Sequence, residues 1–153
     1  MPSAIATEKV FSDIKVNMYD HDPAASTAVI CSPDGGTTKR TIDMSLYDNF
    51  AVVAGNQALT GAGINLLEIV AAENAAMTTN LTVIKTSGAV VADALDDFVV
   101  LECSAEEISQ LGNGLRYAAA RITMANAADE AKVVYIGYAP KTKTAGLTAT
   151  YIS

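Results

Sequence analysis

Residues 97–140 read DFVVLEC, SAEEISQLGNG, LRYAAARITM, ANAADEA and KVVYIGYAP, and this stretch decides the fold. The first, third and fifth pieces are runs of β-branched, aromatic and small apolar residues, bounded by turn-forming residues, which is the mark of strands. In residues 115–124 the period is two. Ala118, Ala120, Ile122 and Met124 fall on one side, and Tyr117, Ala119, Arg121 and Thr123 on the other. Between the first two strands, Ser104 followed by Glu107 is a capping-box pattern, and Gly112 and Gly114 close the run. The spacing predicts a helix of about two turns, too short to stand alone. It is expected to lie across an end of the sheets with Ile108 and Leu111 turned inward.

The preceding segments extend the same pattern. Residues 14–19 alternate Ile14, Val16 and Met18 against Lys15, Asn17 and Tyr19, which predicts a strand with one wet face. Further strands are expected over 26–31, 38–44, 46–54, 64–70, 81–85 and 89–92. Turns are expected at 32–36 (SPDGG), at Gly55, at 61–63 and at Ser87–Gly88. In 64–70 the alternation groups Ile64, Leu66 and Val70 with Glu68, against Leu67 and Ile69, so both faces look covered. Residues 71–77 (AAENAAM) have the composition of a helical turn but no cap. Eight or nine strands at such intervals, without intervening long helices, predict an all-β fold. The form expected is an antiparallel β-sandwich, jelly-roll-like, with one short helix near 104–111, a barrel being the alternative. The chain divides into an extended arm over 1–13, a sandwich domain over 14–140 and a tail over 141–153.

Composition narrows the function. The chain has 153 residues, half of them hydrophobic, enough for one domain with a sizeable core. It contains no apolar run of the ~18 residues that a membrane-spanning helix needs. Ten basic against 17 acidic residues give a net charge of −7, and the basic ones form no stripe, so nucleic-acid binding is not expected. The two cysteines, Cys31 and Cys103, do not make a disulfide framework and are expected as free buried thiols. With free thiols goes synthesis in a reducing cytoplasm, and residues 1–10 lack the basic start and apolar core of a signal peptide.

No catalytic constellation is apparent, and no metal or cofactor is expected. The single histidine, His21, lies between Asp20 and Asp22 and before Pro23, which reads as a solvated turn. Asp93, Asp96 and Asp97 fall in a turn without the loop pattern that calcium sites use. Ser32 opens SPDGG, which lacks the lysine and helix of a phosphate loop. Cys103 has no histidine near it in sequence, and Glu102, Glu106 and Glu107 suit a helix start. Arg116, Tyr117 and Arg121 stand out instead, since Arg and Tyr are enriched at protein interfaces and here have small neighbours. With them as interface candidates go Phe11 in the first arm and Lys141 and Tyr151 in the tail.

The order of strands LYDNFAVV, GINLLEIV, LRYAAARITM and VVYIGYAP over residues 40–140 resembles the small β-sandwich head auxiliary (decoration or cement) proteins and related minor virion proteins of tailed bacteriophages. The points of likeness are Arg116 and Tyr117 opening a β-run and a last strand ending in Gly137 and Pro140. The resemblance implies a virion protein without enzymatic activity that binds the major capsid protein as a homo-oligomer, dimer or trimer, and bridges subunits. It also implies that residues 1–13 and 141–153 lie on neighbouring subunits. A tail or head–tail-junction component is the alternative within the virion. A carbohydrate-binding β-sandwich module is the alternative of another class, although the chain has no tryptophan for a sugar platform.

Overall fold

In a computed structural model, which describes residues 14–89, 92–112 and 114–141, nine strands form two antiparallel sheets packed face to face. In chain order these are β1 (Ile14–His21), β2 (Ala28–Ile30), β3 (Ile42–Asp43), β4 (Tyr47–Ala58), β5 (Ile64–Ala72), β6 (Thr82–Thr86), β7 (Phe98–Ser104), β8 (Tyr117–Met124) and β9 (Glu130–Pro140). One sheet has the order β1-β9-β4-β7 and the other β2-β8-β5-β6, with β3 also on β8. Successive strands pass between the sheets so that β1, β4, β7 and β9 share one, which is the strand order of a jelly roll. In that scheme β2 and β3 occupy a single position on the edge of β8. They pair with Thr123–Arg121 and with Ala118–Tyr117 respectively.

The core lies between the sheets. Ala118, Ala120, Ile122 and Met124 of β8 face Phe50, Val52, Val133 and Tyr135 of the other sheet, all buried. The period-two reading of residues 115–124 therefore holds. At the centre the Tyr135 ring meets Tyr19 and Phe50 edge-on, with centroids 5.1 and 5.0 Å away. Cys31 and Cys103 are free and buried here, and burial pushes both thiols up to about 12.

The helix α1 (Ala105–Leu111) begins with the expected capping box: Ser104 Oγ accepts the Glu107 N–H, and Glu107 returns to the Ser104 N–H. Ile108 is buried, but Leu111 is 54% exposed, and Leu115 beyond the helix packs on the core instead. Leu111 is the last helical residue, and the chain beyond it is extended at Gly112 (φ −179°).

Several expectations need correction. β4 runs through Gly55 to Ala58 rather than ending there, while the strand expected over 38–44 shrinks to Ile42–Asp43. Residues 73–77 form turns, not a helical turn, held by Asn74 Oδ1 accepting the N–H groups of Thr78 and Thr79. Of the strand expected over 89–92, the described part shows one bridge, Ala92 to Ile64. A bulge between Ile64 and Leu66 moves Ile64 from the side of Leu66 and Glu68 to the core side with Leu67 and Ile69.

His21 is not a solvated turn. It ends β1 fully buried, with Nδ1 accepting the Ser32 N–H at 3.3 Å. Burial lowers its pKa to about 4, so the imidazole is neutral.

Candidate functional site

The outer faces of the two sheets differ. On the β2-β8-β5-β6 sheet, the chain covers part of its own outer face, although Val83 on β6 stays 41% exposed. Met77, in the turn after β5, is buried with Ile30, Val70, Ala72 and Ala119, and Lys39 Nζ donates to the Ala76 carbonyl at 2.8 Å across that face. Within this cover Arg121 and Glu68, directly opposed on β8 and β5, form a 2.6 Å ion pair.

The β1-β9-β4-β7 sheet has no such cover among the described residues. Its cross-strand rows are Ile14–Tyr138–Asn49–Ser104, Val16–Ile136–Ala51–Glu102, Met18–Val134–Val53–Val100 and Asp20–Lys132–Gly55–Phe98. Phe98 is 66% exposed, Val100 51%, Met18 50% and Val16 36%. In these rows Asp20 on β1 pairs with Lys132 on the inner strand β9, and Glu102 sits on the edge strand β7.

This reverses the expected orientation of β1. Tyr19 and His21 face the core, and the row Ile14, Val16, Met18 faces outward. Alternation separates an apolar row from a polar one but does not say which of the two the core takes.

A second feature lies at the end of the sandwich that α1 closes. A cleft of about 340 Å³ has an apolar floor of Met44, Ile108 and Leu115, with Arg116 and Lys141 among its walls. Asp43 holds Arg116 in a two-pronged pair, Nε to Oδ1 at 2.9 Å and Nη2 to Oδ2 at 2.6 Å, and the guanidinium lies 5.2 Å over the Tyr117 ring. The hydrogen bonds from Arg116 hold the Asp43 carboxyl well below the usual carboxylate range.

Of the interface candidates, the structure thus brings Arg116, Tyr117 and Lys141 to one end of the molecule. Arg121 lies apart, engaged with Glu68. Phe11 and Tyr151 lie outside the described residues. The outer-face residues Val16, Met18, Phe98 and Val100 were not among the candidates; they could be found only once the register showed all four strands contributing apolar rows to one side.

The sites weighed for chemistry are structural where they are described. Ser32 Oγ accepts the N–H groups of Asp34 and Gly36 and donates to Asp34 Oδ1 at 2.5 Å. That bond and those from Thr38 lower the Asp34 carboxyl to about 2. Asp97 accepts the N–H groups of Asp93 and Ala94, which ties the turn before β7. Among the described residues, no three His, Cys, Asp or Glu side chains converge in a way that could hold a metal ion. No helix of the described residues is long and apolar enough to cross a membrane. No protein-family model matches this sequence, and no curated protein matches it.

Proposed function

We propose that this chain is a virion structural protein, a capsid decoration protein that stabilises a phage head through protein–protein contacts. The observation that carries the reading is the bare apolar face of the β1-β9-β4-β7 sheet. Monomeric domains rarely expose contiguous apolar patches larger than roughly a few hundred Å², and larger ones mark contact with other protein. The jelly-roll strand order supports it by analogy only, since the same architecture serves capsid proteins and lectins alike. The identity of the partner comes from the resemblance of residues 40–140 to head auxiliary proteins. A bridging role requires two separate surfaces, and the cleft beside Arg116 and Lys141 supplies the second.

The test is occupancy on purified particles. The protein copurifies with intact heads at a fixed ratio to the major capsid protein, and removing residues 1–12 abolishes occupancy while the domain stays folded. Occupancy unchanged by that deletion, or specific binding on a glycan array with none on particles, overturns the proposal.

A further inference from the structure

We infer that the cleft beside α1 is the seat of this chain's own segment 144–151, which follows β9 and closes that end of the sandwich. The inference does not depend on the proposed function. It changes what a partner meets there: the seated segment flanked by Arg116 and Tyr117, rather than an open cleft.

The β9 ladder leads the chain to the cleft. β9 ends at Pro140, opposite Tyr47, and Lys141 prolongs the pairing by donating its N–H to the Leu46 carbonyl at 3.1 Å. Next along the same antiparallel register come Ser45 and Met44, which line the cleft, as does Lys141 itself. Ser45 and Met44 belong to the turn that takes the chain from β3 in one sheet to β4 in the other. A chain continuing beside that turn crosses the end of the sandwich over buried Met44 and Ile108. Leu46 in the turn and Leu111 at the end of α1, each 54% exposed, leave apolar surface here to be covered. Residues 142–153 lie outside the described residues, so Lys141 is the point of entry.

Size and chemistry select the occupant. A cleft of about 340 Å³ is at the small end of ligand pockets, which run to about 1,000 Å³. It takes a few residues of extended chain and not a helix ~10–12 Å across. Asp43 already matches Arg116 in the wall, so the apolar floor asks for an uncharged chain with apolar anchors. Residues 144–151, TAGLTATY, carry no charge. In extended chain Ala145, Leu147, Ala149 and Tyr151 fall on one side and Gly146, Thr148 and Thr150 on the other. Leu147 lies six residues beyond Lys141. That is a reach of up to about 20 Å, against the ~10 Å between packed sheets. So short a tether holds the segment at about millimolar effective concentration, which favours it over a partner free in solution.

Hydrogen exchange of the full chain tests the seat. The amides of 144–151 are expected to exchange at least about tenfold more slowly than in a free peptide of that sequence, the order that burying one leucine side chain supplies. Leu147→Asp sets a charge on the apolar floor, and Ser109→Trp, at an exposed position of α1, fills the cleft from its other wall. Each is expected to return 144–151 to the free-peptide rate, while unchanged exchange in β8 and β9 certifies the fold. Protection that is the same from about 5 to about 500 μM marks the segment as seated in its own chain. Free-peptide rates in the wild type overturn the inference, as does protection that survives either substitution. Protection that falls on dilution also overturns it, by placing the segment in the cleft of another copy. None of these outcomes involves particles, so the proposed function stands or falls separately.

Discussion

The Tyr135 hydroxyl, on one sheet, accepts the backbone N–H of Ala120 on the other at 2.7 Å and donates to the Arg40 carbonyl at 3.0 Å. This bond stands where a strand would otherwise be. β2 pairs with β8 as far as Arg121, β3 resumes at Ala118, and between them the chain leaves the sheet for the loop that ends at Arg40 and Thr41. Without Tyr135, the Ala120 N–H would be buried and unmet in the middle of the core. The jelly roll tolerates a broken edge position because the opposite sheet supplies the missing partner.

Tyr135→Phe keeps the ring among Tyr19 and Phe50 and removes only the hydroxyl. Leaving two buried backbone groups unpaired costs about 1–3 kcal/mol. Urea unfolding is expected to show a lower midpoint with an unchanged slope. An unchanged midpoint would mean that water reaches Ala120.

His21 gives the protein an acid liability. Its pKa is about 4 in the fold, set by burial, against about 6.5 when unfolded. The unfolded chain therefore takes up a proton first as pH falls. Stability is complete above about pH 6.5 and declines down to about pH 4, by roughly 3 kcal/mol over the window. His21→Gln, which cannot be charged, is expected to flatten the denaturation midpoint between pH 6.5 and 4 relative to wild type. A parallel pH dependence in the variant would place the liability elsewhere.

What could be read from the residues and what could not divides along physical lines. The alternation in 115–124 and the Ser104–Glu107 cap are local, and both appear as expected. The orientation of β1 was misread because its better apolar row, Val16 and Met18, faces outward while the core takes Tyr19 and His21, both amphipathic. Ile64 changed sides through a bulge that no residue pattern announces. The roles of Tyr135 and Asp129 are contacts across long sequence separations. Asp129, from the β8–β9 loop, accepts the N–H groups of Gly61 and Gly63 at 2.8 and 3.0 Å and fixes the β4–β5 turn. Burial opposes its charge, but these bonds and those from Thr60 outweigh burial and hold its carboxyl below the usual range.

In that turn, Gly63 has φ +69°, and a Cβ there would lie 2.3 Å from the Ala92 carbonyl oxygen and 2.6 Å from Asn56 Oδ1. Gly88 has nearly the same φ, +68°, with nothing within 4 Å. Both glycine-to-alanine changes carry the left-handed strain of about 1 kcal/mol. Gly63→Ala adds the clash and breaks the Ile64–Ala92 bridge, so it is expected to cost at least about 2 kcal/mol more. Thermal melts of the two variants separate backbone strain from crowding. Equal losses would show that the 92–94 segment yields without cost.

Arg121 was expected at an interface, and its geometry argues for a role within the chain. Its Nε lies 2.6 Å from Glu68 Oε2 in direct cross-strand register, beside the small core that Met77 covers. Removing only the cation leaves a mostly buried carboxylate without its partner, so Arg121→Ala is expected to cost about 1–3 kcal/mol. Replacing both residues, as Glu68→Val with Arg121→Val, removes the unpaired charge and restores β-branched packing on the pleated face. The double variant is expected to recover most of the loss. The coupling is read from a double-mutant cycle of urea midpoints. If Arg121 instead acted by touching a partner, Arg121→Ala would leave the unfolding midpoint where it was and weaken particle occupancy alone, and the cycle would show no coupling to Glu68.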